Sequence, residues 1–227
     1  FFKRKINITL KTYFVSDFHF GSHARLKSNE REKLVVKWLD TVSQDAERIY
    51  LVGDVFDFFF EYKTVIPKGY SRFFGKLAEL TDGGLPIEFF IGNHDMWLFR
   101  YFEDEFGIPI HREPIIRNIG NKTFYIGHGD GLGPGDYGYK FIKKIFANPT
   151  CQWLFERIHP NFGIGLANYW SGRSRDAQKE DVGIFFGEEK EWLLQYANQK
   201  LETLDADFFV FGHRHLPIDW VLKNQKS

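Results

Sequence analysis

Residues 89–95 read FFIGNHD, a short run of strand-forming residues that ends in a small or polar residue, here a glycine, and leads at once into polar side chains. The same design recurs as YFVSDFH at 13–19, IYLVGD at 49–54, FYIGH at 124–128 and FFVFGHRH at 208–215. Short continuous apolar runs are typical of strands that are buried on both faces of a sheet. A glycine at the end of such a strand lets the backbone turn sharply and approach its surroundings closely.

Helical patterns lie between these runs. Residues 28–43, 70–80 and 188–204 carry apolar side chains at helical spacing, and Ser28 is the predicted N-cap of the first of them. Alternating strands and helices predict an α/β architecture in which helices cover the sheets. Ligands of such sheets gather at the carboxyl ends of the strands, and all five polar clusters fall at those ends. We therefore predict one site that is assembled from the whole chain.

The composition excludes several classes of protein. The chain has 227 residues, of which 43% are hydrophobic and 26% charged, as expected for one large globular domain with an insertion. Its 30 basic and 30 acidic residues give a formal net charge of zero, so nucleic acid is not an expected partner. The single cysteine, Cys151, cannot form an internal disulfide, which favours a reducing compartment. No run of about 18 apolar residues is present, so no transmembrane helix is expected.

Residues 131–175 differ from the rest of the chain. A turn-rich GLGPG at 131–135 precedes three helical patterns, which are separated by breaks at Asn148-Pro149 and His159-Pro160. Between 136 and 175 there are six basic residues and two acidic ones, together with many aromatics. We predict a core formed by residues 1–130 and 176–227, with residues 131–175 inserted as a helical cap.

The polar residues at the strand ends form a set that suits metal ions. Carboxylate, amide and imidazole groups without a thiolate are typical of a site for two ions of Mn, Fe, Zn or Co. Two metals about 4 Å apart can clamp a phosphoryl group and lower the pKa of a bridging water. The predicted ligands are Asp17, His19, Asp54, Asn93, His128, His213 and His215.

These five blocks, in this order and over most of the chain, resemble the calcineurin-like metallophosphoesterases. The resemblance implies a four-layer fold, a β-sandwich flanked by helices. It implies that one metal is bound by Asp17, His19, Asp54 and His215, and the other by Asp54, Asn93, His128 and His213, with Asp54 as the bridge. It also implies that His94 and Asp54 are catalytic, with His94 contacting the phosphate and protonating the leaving group. Asp57 and Asp95 would lie behind these residues and orient them.

Within that family, the chain resembles the UDP-2,3-diacylglucosamine hydrolases of lipid A synthesis. The residues that carry this resemblance are SDFHFG at 16–21, GDVFDF at 53–58, HGDGL at 128–132 and Asp136. The insertion stands where those enzymes carry a lipid-binding cap. The best-known branch has Arg in place of His94, whereas this chain keeps the histidine of the wider superfamily.

The resemblance implies hydrolysis of the pyrophosphate of an acylated UDP-sugar lipid to UMP and 2,3-diacylglucosamine 1-phosphate. Two divalent metals, with Mn preferred, would be the cofactors. The expected location is cytoplasmic, with peripheral contact to the anionic inner face of a bacterial membrane, and no protein partner is indicated. Candidate substrate-binding residues are Asp136, Lys140, Lys143, Lys144, Arg173 and Arg175.

Several of these residues have simpler interpretations that stay open at this point. Asp57 and Asp95 can be turn residues that bond their own backbone, and Asp136 can be a helix N-cap. The lysines of the insertion can form a solvated helix face, and its aromatics can be core packing.

Two other functions also stay open. One is a metallophosphoesterase that acts on another phosphodiester, a nucleotide or a phosphoprotein. The other is a non-enzymatic scaffold of the same fold. The complete set of ligands argues against the scaffold.

Overall fold

The computed structural model of the protein describes residues 9–22, 26–135, 137–178 and 183–222, and at 168, 170, 171 and 173–178 it describes the backbone alone. Within these ranges the strands are β1 (Lys11–Val15), β2 (Ala46–Val52), β3 (Ile87–Phe90), β4 (Ile110–His111), β5 (Ile115–Ile119), β6 (Lys122–Ile126) and β7 (Phe208–Val210). The helices are α1 (Ser28–Val42), α2 (Ser71–Asp82), α3 (Tyr101–Phe106), α4 (Tyr137–Phe146), α5 (Pro149–Glu156), α6 (Pro160–Gln178) and α7 (Trp192–Lys200).

The strands form two sheets. One is parallel throughout, in the order β1-β2-β3-β4, and the other has the order β5-β6-β7, with β5 antiparallel and β7 parallel to β6. Parallel neighbours require crossover connections, which α1, α2 and α3 supply between successive strands of the first sheet. The carboxyl ends of β1, β2 and β3 therefore meet at one edge of that sheet.

The alternation of side chains along β2 shows how the layers are held together. Ile49 and Leu51 point into the apolar core beneath α1, α2 and α3. Tyr50 and Val52 point the other way, into a second core that also contains Ile126 of β6. Successive side chains of a strand face opposite sides of the sheet, so one buried strand contributes to both cores. The two sheets thus pack face to face, with helices on the outer side of the first.

Helix α7 covers the outer side of the second sheet, where the hydroxyl groups of Tyr196 and Tyr125 are 2.7 Å apart. The predicted four-layer α/β fold is confirmed. The prediction that all five strands are buried on both faces is right for β3 and for the carboxyl ends of β2 and β6. It is wrong for β1 and β7, which are only partly buried because each is the edge strand of its sheet.

Residues 137–178 form the three helices that the sequence patterns predict, and α6 runs three residues past the predicted end of the cap at 175. They attach to the core through an aromatic cluster in which Phe155 packs against Phe60 and Trp97, with ring centroids 4.8 Å apart in both pairs. The indole nitrogen of Trp97 donates a hydrogen bond to the carbonyl of Phe146 at 2.8 Å. Core packing is therefore the role of the inward-facing cap aromatics, Phe146 and Phe155.

Three details differ from the predictions. Ser28 is the first residue of α1 and not its N-cap, and its hydroxyl accepts a hydrogen bond from Gly21 N at 2.8 Å, which ties the helix to the loop after β1. Helix α7 is shorter than the predicted 188–204. The short elements α3, β4 and β5 were not predicted, because two to six residues carry little periodicity. Among the described helices, none is both long enough and apolar enough to cross a bilayer.

Candidate metal centre

The loops that follow the strands carry unusual backbone. Left-handed φ angles are rare for residues with a Cβ atom and persist only where the surrounding structure fixes them. Six non-glycine residues in the described ranges have such angles, and five of the six belong to the predicted ligand set. These five are Asp17 (60°), His19 (46°), Asp54 (51°), His213 (66°) and His215 (52°). Strained backbone of this kind clusters at functional sites.

Two glycines explain how closely the loops approach one another. A Cβ atom at Gly92 would overlap the carboxylate of Asp54 and lie 2.6 Å from its backbone nitrogen. A Cβ atom at Gly53 would overlap the imidazole ring of His128. Because no larger residue fits at either place, the glycine that ends each strand is required for the ligands to converge.

A first cluster joins Asp17, His19, Asp54 and His215, whose ligand atoms all lie within 4.8 Å of one another. The Nε2 atoms of His19 and His215 are 2.9 Å apart, and His215 Nε2 is 3.2 Å from Asp17 Oδ1. Two nitrogen ligands at about 2.1 Å from one cation, on perpendicular bonds, would be about 3 Å apart. The spacing of these atoms therefore fits a shared metal ion.

A second cluster joins Asp54, His128 and His213. His128 Nε2 lies 3.3 Å from Asp54 Oδ2 and 3.4 Å from Asn93 Oδ1. Asp54 belongs to both clusters, and its side chain is buried. The structure thus brings the seven predicted ligands together as two groups that share Asp54.

Backbone carbonyls fix the orientation of two imidazole rings. His128 Nδ1 is 2.8 Å from the carbonyl oxygen of Val52, and His94 Nδ1 is 2.8 Å from that of Asp57. A carbonyl oxygen only accepts hydrogen bonds, so both Nδ1 atoms carry the hydrogen. Metal-binding histidines are typically held in this way, with the second nitrogen turned toward the metal. For His128, that second nitrogen faces Asp54 and Asn93.

The family comparison agrees with this arrangement. Residues 10–217 match the family model described as calcineurin-like phosphoesterase. The chain belongs to the calcineurin-like phosphoesterase family. The resemblance inferred from the five sequence blocks is confirmed, and with it the assignment as a hydrolase.

Curated relatives of this phosphoesterase cover most of its length. It is 37% identical to a UDP-2,3-diacylglucosamine hydrolase of Porphyromonas gingivalis, over 95% of this chain and 87% of that protein. Identity is 28% to the protein of the same name from Vibrio vulnificus, over 92% and 82% of the two chains. It is 25% to that of Histophilus somni, over 90% and 84%.

Asp95 and Asp57 lie beside the predicted ligands, and Asp57 forms a third group with His19 and His94 whose ligand atoms lie within 4.8 Å of one another. Asp95 is fully buried and accepts hydrogen bonds from Gly92 N at 2.6 Å, within its own turn, and from Val55 N at 2.9 Å, in the loop of Asp54. It therefore serves both as a turn residue and as a tie between two ligand loops. Asp57 Oδ1 lies 3.6 Å from His19 Nδ1 and 3.9 Å from His94 Nδ1.

Burial and neighbouring charges shift the pKa values of this phosphoesterase site, and the two effects oppose each other at Asp54 and His128. Burial disfavours the Asp54 carboxylate, but the imidazoles of His128 and His94 outweigh it and hold the pKa of Asp54 well below 3.8. Burial disfavours the charged ring of His128, but Asp54 outweighs it and raises the pKa of His128 to about 10. Burial and the charge of His128 together lower the pKa of His213 to about 4. Burial, followed by the charge of Asp54, raises the pKa of Asp95 to about 7. The site thus holds an ionised Asp54 at neutral pH, which is the form that binds a cation.

The candidate substrate residues fall into three groups. Lys143 Nζ pairs with Asp130 Oδ2 at 2.6 Å, and Lys140 Nζ donates to the carbonyl of Gly133 at 2.6 Å. Lys144 is exposed, as a solvated helix face predicts. The other three candidates were Asp136, which lies outside the described residues, and Arg173 and Arg175, whose side chains are not described.

Asp130 and Tyr139 lie beside the site and are not among the predicted site residues, although Asp130 is part of the HGDGL block at 128–132. Asp130, which is buried, also accepts a hydrogen bond from the hydroxyl of Tyr139 at 2.5 Å. Asp130 thus joins α4 of the cap to the loop of His128. Its position two residues after His128 is the spacing of Asp17 and His19, and this repeat is the signal in the sequence that marks it.

Proposed function

We propose that this chain hydrolyses the pyrophosphate of UDP-2,3-diacylglucosamine to UMP and 2,3-diacylglucosamine 1-phosphate, with two divalent metal ions. Metal-dependent phosphoester hydrolysis is supported by one observation above all, the pair of ligand clusters that share Asp54. The substrate rests on the 37% identity to the P. gingivalis enzyme over 95% of the chain. Mn²⁺ is the metal we propose, among the ions that this mixed oxygen and imidazole set accepts.

When bound, the two metals would polarise the phosphoryl oxygens and supply a hydroxide at neutral pH. The chain's own residues then have distinct roles. Asp54 would bridge the ions, and its low pKa keeps it ionised for this purpose. His94 would contact the phosphate through Nε2, because its Nδ1 hydrogen is bound to the carbonyl of Asp57. With the ring doubly protonated, Nε2 would pass its proton to the leaving oxygen as the phosphoanhydride bond breaks, and the ring would keep the Nδ1 hydrogen.

We propose that the cap, residues 131–175, receives the acyl chains and rests on the membrane surface. Its three helices expose a series of large apolar side chains, although other aromatics of the same helices are partly buried against the core. Exposed apolar patches of this kind mark binding surfaces. The exposed residues are Tyr137, Phe141, Ile142, Trp153, Leu154, Phe162 and Tyr169. Lys144, which is exposed, would supply positive charge toward the diphosphate or anionic lipid, at the cytoplasmic face of a bacterial membrane, whereas Lys140 and Lys143 are bound to Gly133 and Asp130.

The test is UMP release from UDP-2,3-diacylglucosamine in the presence of Mn²⁺ and of a chelator. UDP-glucose and a chromogenic phosphodiester serve as substrates without acyl chains. We expect metal-dependent turnover of the acylated substrate and a large loss of turnover in Asp54→Ala and His94→Ala. Full turnover in both variants would refute the metal mechanism.

One observation favours a second candidate. His94 occupies the position at which the best-known branch of these hydrolases has Arg, so a different phosphodiester substrate is the alternative. Turnover of the small diester above that of the lipid would support the alternative and would leave the exposed cap aromatics without a role.

A further inference from the structure

The loop after β7 carries two of the proposed ligands with one residue between them. His213 and His215 both have left-handed φ angles, 66° and 52°. The N–H of Arg214 donates to the carbonyl of Gly212 at 2.7 Å, so His213 is the centre of a three-residue turn. The form of this turn with a positive central φ is rare and strained. Some contact outside the turn must hold it in this conformation.

The side chain of Arg214 makes such a contact. Its Nε and Nη2 atoms donate to the two carboxylate oxygens of Glu191 at 3.0 and 3.1 Å. Nη2 also donates to the carbonyl of Ile184 at 2.6 Å. The side chains of this pair are only 10% and 2% exposed. A bidentate, buried pair of this kind fixes a guanidinium in one orientation.

Further contacts around this ion pair help to hold Arg214 in place. The guanidinium carbon of Arg214 lies 5.6 Å from the ring centroid of Phe186 and 5.7 Å from that of Trp192. Glu191 is the residue that precedes α7, and it also accepts a hydrogen bond from Phe186 N at 3.1 Å. Three segments therefore meet at Arg214: the ligand loop, the start of α7 and residues 184–186.

We propose that Arg214 is a positioning residue for the metal centre. Its ion pair with Glu191 holds the turn in which His213 and His215 present their imidazoles to the two clusters, and so it sets the affinity for metal. The inference rests on the proposed metal centre and is independent of which phosphoester is the substrate.

Charge alone makes the opposite prediction for one variant. Arg214 places a positive charge next to two ligands of a cation, so its neutralisation in Arg214→Gln would tighten metal binding if the residue acted only through its field. A positioning role predicts weaker binding, because the strained turn loses its anchor. The direction of the change therefore separates the two roles.

The experiment is a calorimetric titration of the chelator-treated full chain with Mn²⁺ alone. We expect Arg214→Gln to weaken Mn²⁺ binding by about 10- to 100-fold, the usual effect of losing a residue that orients a ligand. Arg214→Lys keeps the charge but not the paired geometry, so it should also bind Mn²⁺ more weakly. The double variant Arg214→Gln/Glu191→Gln leaves no unpaired charge from this ion pair. If the single variant does not fold, Mn²⁺ binding is measured in the double variant, and we expect the same weakening.

The matched control is Arg48→Gln, which removes an ion pair with buried Glu88 from the amino-terminal half of β2, away from the ligand loops. We expect unchanged Mn²⁺ affinity in this control. Unchanged or tighter Mn²⁺ binding in the folded Arg214 variants would overturn the proposal, and so would an equal loss of affinity in Arg48→Gln. The experiment measures metal binding and not hydrolysis. It therefore tests the role of Arg214 even if the chain does not hydrolyse the proposed substrate.

Discussion

Replacement of Gly92 by Ala tests whether the close approach of the loops builds the metal site. The added Cβ atom would overlap the Asp54 carboxylate and lie 2.6 Å from the Asp54 backbone nitrogen. Neither group can move freely, since Asp54 Oδ1 also accepts a hydrogen bond from His94 N at 2.9 Å. Overpacking of a buried site costs about 1–3 kcal/mol, so we expect a loss of that size in the free energy of unfolding of the metal-free protein. Displacement of the shared ligand should also weaken Mn²⁺ binding at least about tenfold.

Gly75→Ala is the matched control. Gly75 lies inside α2, and a Cβ atom there would meet nothing within 4 Å. The same substitution should stabilise the protein by about 0.5–1 kcal/mol, because glycine is a poor helix former. The assay is urea unfolding of the metal-free chain, followed by titration with Mn²⁺. If Gly92→Ala bound Mn²⁺ with the affinity of the unmodified chain, the close approach of Gly92 to Asp54 would not be required for the metal site.

Three further predictions concern pH, the cap anchor and the cap surface. The pKa of His128 is raised from 6.5 to about 10, so its protonation stabilises the metal-free fold fully below pH 6.5. This stabilisation should fall as the pH rises toward 10. The melting temperature should therefore decrease over this pH range in the presence of chelator, but not in the presence of Mn²⁺, which binds the neutral ring. Lys143→Met removes the cation that pairs with Asp130 and should lower the free energy of unfolding, measured in urea, by about 1–3 kcal/mol. Lys144→Met should change it by less than about 0.5 kcal/mol. Equal effects of the two variants would contradict the role of the Lys143–Asp130 pair in attaching the cap. Phe162→Ser should reduce the fraction of protein that sediments with anionic vesicles and leave the melting temperature unchanged. Phe155→Ala should lower the free energy of unfolding by about 3 kcal/mol. Unchanged vesicle binding of Phe162→Ser would contradict the proposal that the cap rests on the membrane.

The sequence predicts that these side chains converge because each predicted ligand is tied to a local pattern. An apolar run with a terminal glycine, as at Phe89-Phe90-Ile91-Gly92, defines a buried strand and its carboxyl end without knowledge of any other segment. Parallel pairing then brings the strand ends together, which is why Asp17, Asp54 and Asn93 converge as predicted.

Side-chain pairs between distant segments leave no such pattern. Glu191 and Arg214 are 23 positions apart, and the sequence does not distinguish their pair from any other opposite charges. The cap shows the same limit. Helical spacing predicts its three helices, but only the packing of Phe155 against Phe60 and Trp97 shows which aromatics face the core. The exposed remainder, Phe141 and Phe162 among them, is then available for the proposed lipid surface.

We propose that one chain holds two metal ions bridged by Asp54. Mn²⁺ bound to the chelator-treated protein can be counted by elemental analysis, and electron paramagnetic resonance of the same sample reports whether the ions are magnetically coupled. We predict two Mn²⁺ per chain with a coupled spectrum, and loss of the coupling in Asp54→Asn. A single Mn²⁺ per chain, or two ions without coupling in the unmodified protein, would contradict the account.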